Sequence, residues 1–191
     1  MSNAAPRVPR SDIETVKHLG ARWDATERHW FVPPGRDSTP FAIWLPPKVP
    51  DSAPRIPVDV ILLPDHCYRC GTSTSPVVGI WFDHDLLDGY DYGMLEEAGG
   101  WFLPYDEMSA DVVATACPDE VLAAHGAGPL RWRVTRVCPD GYLANTCQHC
   151  ATVLGNWPLY EALVEYRAEG SDVRDLPHVT SELPEAALQQ L

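Results

Sequence analysis

The first hydrophobic pattern along the chain is that of a short helix. Apolar residues recur there at helical spacing, at Ile13, Val16 and Leu19. Ser11 and Glu14 stand three residues apart, which is the spacing of a capping box at a helix start. Gly20 follows the last apolar position and favours the left-handed conformation that ends a helix. The pattern therefore predicts one short helix that begins at Ser11 and ends before Gly20.

The next segment alternates apolar and polar residues around a polar turn. It predicts two short strands, at residues 22–24 and 29–32. Trp23 and Trp30 are their large apolar side chains. A second short helix is expected to begin at Ser38, because Pro40 would lie in its first turn, where proline is tolerated. We expect both indoles to be buried, against Leu19 and Ile43.

Five prolines within twelve residues make the backbone after this module extended and stiff; they are Pro46, Pro47, Pro50, Pro54 and Pro57. We therefore expect a module at residues 1–46, a linker at 47–57 and a larger domain at 58–168. The remaining residues, 169–191, are acidic, and we expect a mobile tail with a short helix after Pro184.

The larger domain contains short apolar runs that are typical of buried strands, at residues 58–63, 76–82 and 142–145. Residues 99–103 and 130–137 are expected to add strands to the same sheet. Short helices are predicted at 109–116 and 118–124, and a last helix begins at Trp157. The fold class is therefore α+β: a small helix-hairpin module joined to an antiparallel sheet with short helices.

Two C-x-x-C pairs are the strongest chemical signal of the chain: Cys67 with Cys70, and Cys147 with Cys150. Six cysteines placed at random would give about 0.16 such pairs, so two separate pairs arise by chance about once in a hundred sequences. Each pair follows a strand, as in a zinc knuckle, where the turn presents two thiolates to one ion. We predict one zinc ion bound by all four cysteines.

The 76 residues between the two pairs exceed the usual spacing, so the zinc ribbon is split by an insertion. Four thiolates fill the tetrahedral shell of zinc and leave no position for water, which indicates a structural site. Disulfides are the alternative in an oxidising compartment, and catalytic redox use of a C-x-x-C is a further one. We leave four nearby candidates out of the ligand set: His66, Cys117, Cys138 and His149.

Composition and charge narrow the possible functions. The chain has 191 residues, of which 45% are hydrophobic and 21% charged, as in ordinary globular proteins. It has no run of 18 apolar residues and no apolar stretch at its amino end, so we expect a cytoplasmic protein and no membrane partner. The net charge is −13, and between Cys70 and Leu130 there are 11 acidic residues and no Lys or Arg. That stretch cannot bind a phosphate backbone through cations, and it is either a solvated acidic face or a docking face for a basic partner.

Residues 11–46 resemble a small bacterial domain of unknown function. The resemblance rests on Gly20-Ala21-Arg22-Trp23-Asp24, five further residues, and Trp30-Phe31-Val32-Pro33, in which Phe31 replaces the usual Tyr. Such modules are found beside primase, antirestriction and other mobile-element proteins, so the resemblance implies a nucleic-acid setting and assigns no catalytic residue. The cysteine-containing half also resembles split zinc ribbons of uncharacterised bacterial proteins, which implies no activity.

Catalytic signatures are largely missing from the sequence, which has no P-loop, nucleophile elbow or H-E-x-x-H motif. One acidic segment remains, Asp83-His84-Asp85 followed by Asp88 and Asp91, which could hold a divalent cation or serve as acid and base. It fails the EF-hand frame, because Met94 stands where the frame requires Glu. A solvated acidic loop is the interpretation that we favour.

A basic strand offers a possible binding surface. Arg131 and Arg133 share one face of a strand, so two guanidiniums could hold a phosphate or a carboxylate, although pairing with acidic neighbours is the simpler interpretation. With Arg22, Trp23 and Trp30 they form our candidate binding set. We interpret the protein as a non-catalytic, zinc-stabilised binding module for nucleic acid or a partner protein, with weak nucleic-acid binding through the front module. The alternative is a metal-dependent enzyme centred on Asp83, His84 and Asp85.

Overall fold

The computed structural model describes residues 5–46, 50, 52–83, 85, 94–97, 99–106 and 109–191, with the side chains of 189 and 190 left aside. The fold is α+β, with antiparallel strand pairs and short helices, as expected. Two compact units divide the chain: Met1–Lys48 with Trp132–Tyr142, and Val49–Arg131 with Leu143–Leu191. The front unit thus contains eleven residues from far along the sequence, which the expected boundary at residue 46 does not include.

The front unit begins with the expected helix, although not with the expected cap. Its elements are a 3-10 turn at Arg10–Asp12, helix α1 at Ile13–Leu19, strands β1 at Arg22–Asp24 and β2 at His29–Phe31, and a 3-10 helix at Thr39–Trp44. The hydroxyl of Ser11 donates to the Asp12 carboxylate at 2.7 Å, and Glu14 accepts from Lys17. Local side-chain partners therefore replace the capping box, while Gly20 ends α1 in the left-handed conformation as expected.

The core of this unit contains Trp30 but not Trp23. Strands β1 and β2 pair antiparallel with Trp23 opposite Trp30, and the two rings meet edge to face at 5.5 Å. Only Trp30 joins the buried cluster, and Trp23 is 51% exposed. Ile43 is also exposed, because in a 3-10 helix residues three apart share a face, and here Phe41 and Trp44 take the buried one. The expectation that both indoles are buried against Ile43 is therefore wrong for Trp23 and for Ile43.

In its described residues, the second unit contains β-strands and three α-helices. Its strands are β3 Arg55–Leu62, β4 Asp65–His66, β5 Ser73–Thr74, β6 Val77–Asp83, β7 Leu95–Glu97, β8 Gly100–Pro104, β10 Tyr142–Thr146 (whose first residue is the last of the front unit), β11 Val153–Leu154 and β12 His178–Pro184. The α-helices are α2 Ala110–Ala116, α3 Asp119–Ala124 and α4 Asn156–Ala168, as the sequence pattern predicts. Five strands form a sheet in the order β12-β3-β6-β8-β7.

The carboxyl-terminal residues are part of this sheet and not a tail. Strand β12 pairs antiparallel with β3 over seven residues, from His178 opposite Ile61 to Pro184 opposite Arg55. Leu183 is fully buried while Glu182, the acidic residue of this strand, is exposed, so its carboxylate lies on the outer side of the sheet. The acidic composition of residues 169–191 made this alternation of buried and exposed positions hard to recognise in the sequence. A short 3-10 helix follows at Glu185–Gln190.

Two further expectations about strands differ from the structure. Strand β3 begins at Arg55, so the last three residues of the expected linker belong to the sheet. Strand β9, Arg131–Arg133, does not join the five-stranded sheet; it belongs to a separate sheet in the order β11-β10-β9. The strand at Gly100–Pro104 does join the large sheet, next to β6, as expected.

Within the described residues, no helix combines the length and the apolar character that crossing a membrane would require.

Candidate metal centre and binding surfaces

The first C-x-x-C pair lies in a tight turn between β4 and β5. The amide of Cys67 donates to the carbonyl of Thr72 at 2.9 Å, and the amide of Gly71 donates back to the carbonyl of Cys67 at 2.8 Å. Gly71 has a φ of 70°, in the left-handed region that glycine adopts readily. These two bonds fold residues 67–72 into a knuckle that directs both thiols to one side.

The second pair repeats this geometry between β10 and β11. The amide of Cys147 donates to the carbonyl of Thr152 at 2.9 Å, and the amide of Ala151 donates to the carbonyl of Cys147 at 2.9 Å. Ala151, at the position equivalent to Gly71, has a φ of 53° although it is not glycine. The backbone of the second knuckle therefore follows the first closely enough to impose an unfavourable conformation on alanine.

The four sulfur atoms of the two knuckles converge. Cys67 Sγ lies 3.7 Å from Cys150 Sγ, and Cys70 Sγ lies 3.7 Å from Cys147 Sγ. All four atoms lie within 4.8 Å of one another. A tetrahedron with metal–sulfur bonds of about 2.3 Å has edges of about 3.8 Å, so this donor set fits a four-coordinate thiolate site such as that of zinc. None of the six cysteines forms a disulfide.

The environment of the four thiols differs from one to the next. Cys67 and Cys147 are buried within the core cluster of the second unit, whereas Cys70 is exposed. Hydrogen bonds from Thr72, first from its side chain and then from its backbone, lower the pKa of the Cys70 thiol to about 6. Burial raises the pKa of the Cys147 thiol to about 11. A metal ion bound here would therefore displace a proton from Cys147 at neutral pH.

Two contacts join the knuckles to each other and to the sheet. Arg69, on the first knuckle, donates to the hydroxyl of Thr152 on the second at 3.3 Å. Asn145, two residues before Cys147, binds the backbone of β6 through both ends of its amide: it accepts from the amide of Val77 at 2.8 Å and donates to the carbonyl of Val77 at 2.9 Å. Sequence reasoning missed these residues, because a single Asn, Arg or Thr carries no pattern.

The excluded candidates lie outside the four-sulfur cluster. His66, His149, Cys117 and Cys138 are absent from the one group of potential metal ligands found among the described residues. Cys117 is buried, and burial raises the pKa of its thiol far above the usual range. His149 lies on the second knuckle, where its amide donates to Cys147 Sγ at 3.4 Å while its side chain is exposed.

The acidic segment is only partly described. Asp83 ends β6 and accepts from the backbone amide of Asp85 at 3.1 Å, which is a local turn contact. His84, Asp88 and Asp91 lie outside the described residues. No group of three or more potential ligands forms around Asp83 among the residues that are described.

The two arginines of β9 have different partners. The Arg131 guanidinium forms two hydrogen bonds to the Asp119 carboxylate, at 3.0 and 2.7 Å, whereas Arg133 donates to the carbonyl of Arg28 at 3.2 Å. Arg131 thus pairs with an acidic neighbour, which was the simpler interpretation.

Of the remaining candidates, Arg22 and Trp23 are exposed and Trp30 is buried. Trp30 is therefore a core residue, while Arg22 lines an open groove with Lys17 and Arg36.

Two comparisons with known proteins gave matches, each to a short part of the chain. Residues 7–46 match a family described as a domain of unknown function (DUF5710). A stretch of 37 residues is 51% identical to one DNA primase TraC of Escherichia coli and 57% identical to another. The match covers 19% of this chain and only 3% and 4% of the two primases, so the chain spans a small fraction of either relative. No solved structure matches the chain.

Proposed function

We propose that this protein is a non-catalytic binding protein whose second unit is stabilised by one zinc ion at Cys67, Cys70, Cys147 and Cys150. The observation that carries the proposal is that the four thiols converge at tetrahedral spacing. The two closest sulfur pairs join residues far apart in the sequence: Cys67 and Cys150 are separated by 83 positions, and Cys70 and Cys147 by 77. A site with four thiolates has no open position for a substrate or a water nucleophile, so the metal acts on structure.

The setting that we propose is nucleic-acid processing by mobile elements in the cytoplasm. It is supported by the match of residues 7–46 to a domain of unknown function, by the similarity of 37 residues to two proteins named DNA primase TraC, and by the resemblance of the front module to mobile-element domains. Six reduced cysteines fit a reducing compartment. The front unit is the part that we expect to bind.

The metal is tested by elemental analysis of the purified, reduced protein. We expect one zinc per chain, and we expect Cys147→Ser to lose it together with the fold of the second unit, because a structural zinc site contributes on the order of 10 kcal/mol to folding. Cys138→Ser is the control, since Cys138 is a half-buried cysteine that lies outside the sulfur cluster. Folded, reduced protein without metal, or equal zinc loss in the control, would contradict the proposal.

A further inference from the structure

The front unit carries a groove whose lining is cationic. The groove has a volume of about 640 Å³ and lies between the end of α1, strand β1 and the turn after β2. Its charged lining residues are Lys17, Arg22 and Arg36, and no Asp or Glu lies among the described residues that line it. A recess of this size with three cations fits an anionic group, since cations close together repel one another and an anion between them relieves that repulsion.

Arg36 is held in place by the end of the helix. The turn that follows β2 is closed by the Arg36 amide donating to the carbonyl of Pro33 at 3.2 Å. This turn brings the side chain of Arg36 next to the end of α1, where the guanidinium donates to the carbonyl of Leu19 at 2.8 Å. A guanidinium has five N–H donors, so one bond to Leu19 leaves donors for a ligand on a group whose position is already fixed.

Gly20 makes this placement possible. A Cβ at Gly20 would overlap the guanidinium of Arg36, and the φ of 95° is itself in the left-handed region. The glycine of the Gly-Ala-Arg-Trp-Asp motif therefore has two roles: it ends the helix, and its lack of a side chain leaves space for the guanidinium of Arg36 in the groove. The next residue but one, Arg22, is exposed on β1 and supplies a second guanidinium to the same groove.

Lys17 is the third cation, and it also has a local partner. Its ammonium lies 2.7 Å from the Glu14 carboxylate, and that carboxylate is 84% exposed. An ion pair this exposed contributes little to stability, so it does not keep the lysine from binding a stronger anion.

The distribution of charge between the units favours a flexible anion. The front unit has nine Lys and Arg against six Asp and Glu, whereas the second unit has five against 21. A duplex carries about one charge per 1.7 Å of its axis, roughly twice the density of one strand, so the acidic unit on the same chain repels a duplex more strongly. A single strand can also bend one phosphate into a recess, since its backbone is not fixed by base pairing.

We propose that this groove, formed by Lys17, Arg22 and Arg36 around Gly20, binds a backbone phosphate of single-stranded nucleic acid. The inference rests on the proposed function, because it names the ligand and the site of the front unit. Arg36 and Arg22 hold the phosphate oxygens, and Lys17 adds charge at the rim of the groove. Trp23 projects from the other side of the same strand and is not part of the groove.

The test uses the full zinc-loaded chain and a fluorescein-labelled single-stranded oligothymidylate, with a mixed-sequence duplex of equal length as the second probe. Anisotropy is recorded over a series of salt concentrations. We expect the wild type to prefer the single strand, and we expect Arg22→Ala and Arg36→Ala each to weaken binding at least fivefold. Each variant should also reduce the slope of log K against log salt by about 0.7, the contribution of one phosphate contact on a single strand.

Arg136→Ala is the matched control, because Arg136 is an exposed arginine of the same unit that does not line the groove. It should change affinity less than twofold. Equal losses in all three variants would assign binding to overall charge and overturn the site. Tighter binding of the duplex, or displacement of the strand by inorganic phosphate at equal phosphate concentration, would overturn the ligand class.

Zinc content and thermal unfolding are measured on every variant. Because Arg36 also contacts Leu19, Arg36→Lys is included: if it folds as the wild type does, it should keep part of the affinity through its charge. Folded protein with one zinc but no single-strand binding at low salt would overturn the groove and leave the structural zinc site standing. Wild-type protein that is folded and reduced but contains no zinc would instead contradict the proposed function.

Discussion

The side-chain amide of Asn145 bonds both the N–H and the C=O of Val77, at 2.8 and 2.9 Å, and the side chain is almost fully buried. It thereby attaches the strand before the second knuckle to the central strand of the large sheet. Replacing Asn145 by Leu leaves two buried backbone groups without partners, which should lower the free energy of unfolding by about 2–4 kcal/mol. Urea unfolding followed by circular dichroism measures the loss.

Gln148→Leu is the comparison for Asn145, since Gln148 is an exposed amide three residues further along the chain. It should change stability by less than about 0.5 kcal/mol, as surface substitutions usually do. A small effect at both positions would mean that water replaces the bonds to Val77.

The two tryptophans of the front hairpin should differ in their contribution to stability. Truncating the buried Trp30 to Ala removes a large core side chain and should cost about 3–5 kcal/mol. Trp23→Ala removes a ring that is half exposed and should cost less than half as much. Calorimetry of the two variants, with the wild type beside them, checks the order; equal losses would place Trp23 in the core after all.

Sequence reasoning identified what has a period or a repeated spacing. Helix α1, the hairpin of β1 and β2, and the two C-x-x-C turns each have such a signal, and the structure places the four sulfurs together. Sequence reasoning failed where pairing with a distant part of the chain decides whether a segment forms a strand. Residues 169–191 read as acidic and mobile, yet β12 alternates around Leu183 and pairs with β3, more than a hundred residues away.

The groove could not be predicted for a similar reason. Arg36 reaches α1 only because a turn closed by Pro33 folds it back over Gly20, and that closure is a contact between residues 16 and 17 positions apart. The spacing of residues along the sequence does not indicate that Arg36 contacts Leu19 and Gly20. The assignment of Trp132–Tyr142 to the front unit is likewise a tertiary result.

Acid should weaken the front unit through Asp12. The indole N–H of Trp44 donates to the Asp12 carboxylate at 2.9 Å, and this bond, followed by that from Ser11, holds the pKa of Asp12 below its usual value of 3.8. A carboxyl whose pKa is lowered by folding stabilises the protein above its ordinary pKa, and the effect is lost as the pH falls through the lowered value. Asp12→Asn should therefore lower the urea midpoint at neutral pH and have little effect once the pH has fallen below the lowered pKa of Asp12.

The control for Asp12 is Glu14→Gln, which removes an exposed ion pair with Lys17 in the same helical turn. It should change the midpoint only slightly at any pH. An effect of Asp12→Asn that is as large in acid as at neutral pH would show that packing, and not the charged hydrogen bond, is responsible.

The two knuckles offer a last test, because the same position of the turn has a left-handed backbone in both, as glycine in the first knuckle and as alanine in the second. Gly71 has a φ of 70° and no atom within 4 Å of where a Cβ would stand, while Ala151 has a φ of 53° at the equivalent position. Gly71→Ala should therefore cost about 1 kcal/mol through backbone strain alone. Ala151→Gly should relieve strain and stabilise the site by less than about 1 kcal/mol, because glycine also gains freedom in the unfolded chain.

Zinc affinity, measured by competition with a chromophoric chelator, separates a local effect from a general one. If the knuckle forms its left-handed turn only when the metal binds, Gly71→Ala should weaken zinc about fivefold and Ala151→Gly should tighten it, since 1.4 kcal/mol corresponds to tenfold. Gly170→Ala is the matched control: its φ of 82° and open surroundings impose the same backbone strain away from the sulfurs. It should lower the melting temperature and leave zinc affinity unchanged, whereas shifts of the same sign for Gly71→Ala and Ala151→Gly would show that the two turns are not equivalent.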